Sequence, residues 1–159
     1  MAGAPSGFNV EAFASGSFEG EGDTRRLQLP EKDYRAVVEG PFMDEKATRL
    51  FTSDKGAVAL IVVWRLDDPE IQAQFKLEKM PTKRQTVWLD LTPNGGLDMG
   101  EYKNSELNKL REVFDLNRPG IEWKFSDFIG KSAMVKLKNS RNPDDPQNPY
   151  QNIAAVTRG

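Results

Sequence analysis

Nine side chains of this sequence could carry chemistry, and they are of two kinds. Trp88, Tyr34 and Tyr150 offer flat ring faces, while Arg35, Lys83, Arg84, Lys136, Lys138 and Arg141 offer positive charge. Rings and cations together suit a ligand that is planar and anionic by turns, as unpaired bases on a phosphate backbone are. Two positions stay open between roles. Trp88 either alternates onto an outward strand face as a stacking platform or, if its strand bends, fills the interior. Tyr34 and Tyr150 each have a ring to stack and a hydroxyl that needs a partner if buried. Trp64 lies on the Val58, Leu60, Val62 side of the most apolar segment and reads as core.

Other chemistries lack their residue types. The chain has no cysteine and no histidine, which excludes disulfides, thiolate metal sites, cysteine nucleophiles and Ser-His-Asp catalysis. Carboxylate, lysine or tyrosine chemistry remains, so the chain reads as a non-enzyme with no cofactor and no metal site. A magnesium-dependent nuclease built on Asp67, Asp68, Glu70 and Asp90 is the residual enzymatic reading, although Asp67 and Asp68 precede a proline as a turn does.

Five β-rich segments must position these residues: Asp33 to Gly40, Gly56 to Leu66, Arg84 to Thr92, Ser132 to Lys138 and Tyr150 to Thr157. One amphipathic helix, Asn104 to Leu116, falls between the third and fourth. Its Leu107, Leu110, Val113 and Phe114 form an apolar stripe, with Asn104 or Ser105 as cap. Trp123, Phe125 and Phe128 are expected beside it. The order β-β-β-α-β-β is how a five-stranded oligonucleotide-binding (OB) barrel is threaded, so the expected fold is all-β with one or two helices, an OB-fold-like barrel.

Alternation sets the faces. On the third segment Val87, Leu89 and Leu91 point one way and Thr86, Trp88, Asp90 and Thr92 the other. On the fourth, Ala133, Val135 and Leu137 point inward and Met134, Lys136 and Lys138 outward; on the fifth, Ile153 and Ala155 point inward. Gly40-Pro41 ends the first strand, and the next segment, with Lys46, Arg49, Phe51 and Lys55, reads as a ligand-gripping hairpin loop. Asp67 to Lys83 reads as a long mobile insertion with one helical turn around Glu70 to Phe75. The proline-rich stretch after Lys138 reads as a second long loop.

Residues 1–30 are expected to form a flexible arm and 31–159 the folded domain, one domain being what 159 residues accommodate. The arm has five acids against two bases up to Glu31, and Phe8, Phe13 and Phe18 at intervals that suit neither helix nor strand. These phenylalanines either bind a partner or patch the barrel surface. From Lys131 onward five bases face two acids. The longest apolar run, Ala57 to Trp64, is far below the roughly 20 residues needed to span a bilayer, so no membrane association is expected.

Several short patterns fall in a familiar order: Tyr34, Ala36, Val38 and Gly40; Trp64 and Leu66; Trp88; Leu107, Leu110 and Val113; Phe128, Gly130, Lys131, Val135 and Leu137; and Tyr150, Asn152 and Ile153. From about Pro30 to Arg158 the order resembles bacteriophage single-stranded DNA-binding proteins. The resemblance implies binding of single-stranded DNA without sequence preference during phage replication or recombination, in the cytoplasm of an infected bacterial host. Replication proteins and further copies of the chain are the implied partners. The acidic C-terminal tail common in that family has no counterpart in Val156-Thr157-Arg158-Gly159. The competing reading is a protein-interaction or structural accessory module on the same barrel.

Overall fold

The computed structural model describes residues 3–159. Among them the elements run α1 (Val10–Ser15), β1 (Asp33–Val38), β2 (Arg49–Thr52), β3 (Val58–Leu66), α2 (Pro69–Gln74), β4 (Thr82–Trp88), α3 (Ser105–Val113), β5 (Ser132–Ser140) and β6 (Tyr150–Thr157), with a 3-10 turn at Phe125–Phe128.

The apolar run of β3 makes it the central strand. Along one edge it pairs β4 from Ala59↔Trp88 to Arg65↔Thr82. Its other edge is shared: β2 takes the first half and β1 the second. β1 and β2 therefore act as one antiparallel strand interrupted by an excursion over residues 39–48. The ladder is kept whole there by side-chain and loop bonds. Thr48 Oγ1 accepts from Val63 N at 3.1 Å, and Glu39 N donates to Val63 O at 2.8 Å. This corrects the expectation of a hairpin loop after Gly40-Pro41, since half of that segment is β2, the third neighbour of β3.

β1 also pairs β5, and β5 pairs β6, so the antiparallel path is β4-β3-β1-β5-β6, with β2 in line with β1 along the same edge of β3. The sheet is mostly β as expected, with six strands in place of five. It curls enough to bring Cα atoms of β4 and β6 within 8 Å, yet no ladder joins these two ends and the sheet is open.

Inward alternation builds the core from Tyr34, Ala36 and Val38 on β1, Leu60, Val62, Trp64 and Leu66 on β3, Val87 on β4 and Ala133, Val135 and Leu137 on β5. α3 closes one end by inserting Leu107, Leu110 and Phe114. Phe114 meets Trp64 and Phe128 at ring-centroid distances of 6.1 and 5.2 Å, and Trp123 stacks on Phe128 at 5.8 Å. The same helix buries Arg111, whose guanidinium lies 4.5 Å from the Trp123 ring. Burial lowers its pKa.

Two local features depart from plain alternation. Opposite the Lys136–Leu137 step of β5 the register of β6 slips, making Ala154 the extra residue. The slip flips the phase, so Ile153 and then Val156 face inward and Ala155 is exposed. In β4 the ladder ends at Trp88. Beyond it Leu89 still packs on the core, but Leu91 is exposed and bridges only to Leu97.

The segment between β3 and β4 is more ordered than its charge implies. Asp68 caps α2 by accepting from Ile71 N at 3.1 Å, and Ile71 is buried. At the other pole, the Asn142–Asn148 loop folds on its own amides. Asn142 Nδ2 donates to Asn148 O at 3.0 Å, and Asn148 Nδ2 donates to Thr24 O at 3.1 Å. Gln151 brackets Leu29 with two bonds to its backbone, so the chain from Thr24 onward is laid against β6. α1 stands apart with no buried residue, and Phe13 contacts Phe8 and Phe18 at 5.2 and 5.3 Å.

Candidate nucleic-acid interface

In an antiparallel sheet, residues paired in register point to the same face. Ala59 pairs with Phe51 on β2 and with Trp88 on β4. Since Leu60 beside it points into the core, Ala59 and both its partners face outward. Strand spacing of ~4.8 Å sets the Cα atoms of Phe51 and Trp88 about 10 Å apart. The rings are 44 % and 53 % exposed, while Ala59 between them is fully covered. The outer face of β2-β3-β4 thus carries two partly open aromatic rings flanking a methyl group.

Cations adjoin the rings on the same face. The next register row is Arg49–Ile61–Thr86, and the one after it pairs Val63 with Arg84. Arg49, Arg84 and Lys46 line a cleft of about 370 Å³ with Glu45, Val63, Thr82 and Lys83. Among the described residues none of these three cations forms an ion pair; Arg49 Nη1 donates to Ala47 O at 3.0 Å. One row further the charge is spent internally, because Arg65 pairs with Asp67 at 2.7 Å and Glu39 at 3.5 Å.

The expected residues divide over the molecule. Trp88 and Arg84 belong to this face. Lys83 borders the cleft, but its register partner is Trp64, an inward residue; burial lowers its pKa. Tyr34 leaves the candidate set. It is 1 % exposed, its hydroxyl donates to Pro30 O at 2.6 Å, and burial raises its pKa, so neither ring face is open. Arg35, Lys136 and Lys138 sit on the outer face of β1 and β5, where Asp33 lies directly across from Lys136. Reaching that patch from Ala59 means following β3 to Arg65, roughly 20 Å, and then crossing to β1. Arg141 and the exposed Tyr150 stand at the β5–β6 connection. These residues do not form one groove with Trp88.

Phe51, Arg49 and Lys46 are the residues that reading the segment as a loop displaced. The signal was present: Arg49-Leu50-Phe51-Thr52 alternates, and Asp54-Lys55-Gly56 supplies the hairpin turn into β3, with Gly56 at φ +85°. The acids of the nuclease reading are dispersed. Asp67 serves Arg65, Asp68 accepts from Lys32 at 2.6 Å, and Asp90 accepts from Asn104 N at 2.8 Å. Among the described residues no group of three or more acids gathers to hold a metal ion, and no helix is long and apolar enough to cross a membrane. No protein-family model matches the chain, and no curated protein matches its sequence.

Proposed function

We propose that the outer face of β2-β3-β4 binds single-stranded nucleic acid, DNA in the first instance, without sequence preference. The observation that carries this reading is the row Phe51–Ala59–Trp88 with Arg49 and Arg84 one and two rows away. Ring faces accept any base because every base has a π-face, and the cations follow the phosphates. A duplex conceals its base faces, so the same surface discriminates against it. In this reading the near approach of β4 and β6 belongs to an OB-type barrel, and the biological setting is phage DNA replication or recombination, with replication proteins and further copies of the chain as partners.

The test is a gel shift with single-stranded DNA, duplex DNA and RNA of equal length at two salt concentrations. Preference for single strands and loss of binding at the higher salt support the proposal; equal affinity for duplex, or no binding at low salt, refutes it. A second reading, protein interaction, has its own observation: the exposed Phe8, Phe13 and Phe18 rings form a cluster that touches none of the sheet's rings. Single-strand binding that is unchanged on deleting residues 1–23 leaves that cluster available for such a role.

A further inference from the structure

Trp88, Thr86 and Arg84 alternate onto the outer face of β4 and are all exposed, a column with one side chain every ~6.6 Å. Arg84 has a cleft on each side. Toward β3 lies the cationic cleft described above; toward β6 lies a second one, of about 300 Å³, lined by Arg84, Thr86, Gln85, Glu106, Asn152 and Ile153. No ladder joins β4 to β6, so this second cleft opens into the seam between two strand edges. A nucleic-acid strand with one base stacked on Trp88 and its phosphates directed toward Arg84 carries the next base past the mouth of the seam.

The polar groups of the seam are held from the core. Trp64 is fully buried, and its indole N–H donates to Gln85 Oε1 at 2.9 Å. That bond orients the amide, so Gln85 Nε2 points to α3 and donates to Glu106 Oε1 at 3.1 Å. The second oxygen of Glu106 has no hydrogen bond among the described residues. On the opposite wall Asn152 Nδ2 donates to Ser140 Oγ at 2.8 Å, which leaves the side-chain carbonyl of Asn152 as its unused group. The seam therefore offers two free acceptors, one of them a carboxylate oxygen whose position is fixed through Gln85.

Acceptors select donors. An ionised carboxylate can only accept hydrogen bonds, and bonds to a charged acceptor are the strong ones. Guanine presents N1–H and its N2 amino group side by side, whereas the single N–H of thymine lies between two carbonyl oxygens that a carboxylate repels. We propose that the seam cleft takes one base of the bound strand and selects guanine over thymine, with guanine N1–H and the amino group donating to Glu106. Gln85 is then a positioning residue and Arg84 holds the adjoining phosphate. This rests on the single-strand reading above and adds one base-selective position to a track otherwise indifferent to sequence.

The test uses the full chain and end-labelled oligothymidines of about 10 nucleotides, within the range of single-strand site sizes, with anisotropy as the readout. One central position carries thymine, hypoxanthine or guanine. The guanine strand is expected to bind about tenfold tighter than the all-thymine strand, near the low end of what a bidentate base contact contributes. Hypoxanthine, which keeps N1–H and lacks the amino group, should fall between them. Glu106 is exposed, so Glu106→Gln leaves the fold intact, and it should bring the guanine strand down to the all-thymine affinity. Trp88→Ala should weaken all three strands and keep their order. The cleft assignment is overturned if wild type binds the three strands alike, or if Glu106→Gln keeps the guanine preference, which then comes from stronger purine stacking on the track; in both cases binding of the all-thymine strand leaves the single-strand reading standing. If no strand binds the wild-type chain at low salt, both proposals fall.

Discussion

Phe51 and Trp88 flank the same residue, Ala59, one from each neighbouring strand, and both rings remain partly open to solvent. Ring pairs in a core are enclosed; these two lie on the outer face, where the only residue between them is the smallest that carries a Cβ. Neither ring takes part in an aromatic contact with the core cluster, so removing either should leave the fold intact.

Trp88→Ala and Phe51→Ala are accordingly expected to weaken single-strand binding by about 1–3 kcal/mol each and to leave the unfolding free energy from urea denaturation within ~0.5 kcal/mol of wild type. Fluorescence or anisotropy titration with an oligothymidine, run beside urea denaturation, checks both halves. A large fall in stability would mean that the rings pack more than they present.

Salt dependence separates the two basic patches. If Arg49, Arg84 and Lys46 contact phosphates, substituting any one by alanine should flatten the slope of log K against log salt by about 0.7. Lys136→Ala and Lys138→Ala, on the far patch beside Asp33, should leave that slope unchanged. A change from the β5 lysines and none from Arg84 would move the interface to the other side of the molecule.

How much of this was legible in the residues follows from what each signal depends on. Period-two alternation is local, so the inward set of β5 could be read directly, as could the Leu107, Leu110, Phe114 stripe of α3; it put Trp88 outward only on condition that its strand did not bend. Phe51 was passed over because the alternation and turn that mark β2 span only four residues, too short a signal to outweigh the basic, loop-like stretch before it until its pairing with β3 is seen. Tyr34 could not be placed from alternation alone, since its ring follows the inward phase while its hydroxyl is satisfied by a carbonyl, Pro30 O, just before the strand. Ala155 was misassigned because a β-bulge leaves no mark in the sequence of β6. Asn104 looked like a helix cap, yet its side chain makes no cap bond; it is taken by Asp90 and Asp98, residues that only the fold brings near.

That displaced cap gives a stability prediction. Asn104→Ala removes three side-chain hydrogen bonds at a buried position and leaves Asp90 N and Asp98 O without those partners, at a cost on the order of 2–3 kcal/mol. Asn104→Gly relieves the left-handed backbone but makes none of these bonds, so it should recover only a part. Urea denaturation measures both. Near-wild-type stability in Asn104→Ala would show that the 90–104 clamp contributes little and that the loop is not rigid.

Asp68 has two roles that pH can separate. It caps α2 and pairs with Lys32, whose hydrogen bond holds the Asp68 carboxyl below its ordinary value of 3.8; Lys32 is in turn raised above 10.5. A carboxyl depressed in the folded state stabilises fully above its unfolded pKa, and the contribution is lost as pH falls from about 3.8 through the lower folded value. The ammonium contributes below 10.5 and loses its part as pH rises through the raised value. Asp68→Asn keeps a good cap and removes only the ion pair; Lys32 is 41 % exposed, so it should cost under ~1 kcal/mol near neutrality. Asp68→Ala also loses the cap, about 1 kcal/mol more. Urea midpoints measured from neutrality downward should show wild type converging on Asp68→Asn below pH 3.8, with Asp68→Ala staying beneath both. Parallel curves for wild type and Asp68→Asn across the acid limb would sink the ion-pair assignment and leave capping as the sole role of Asp68.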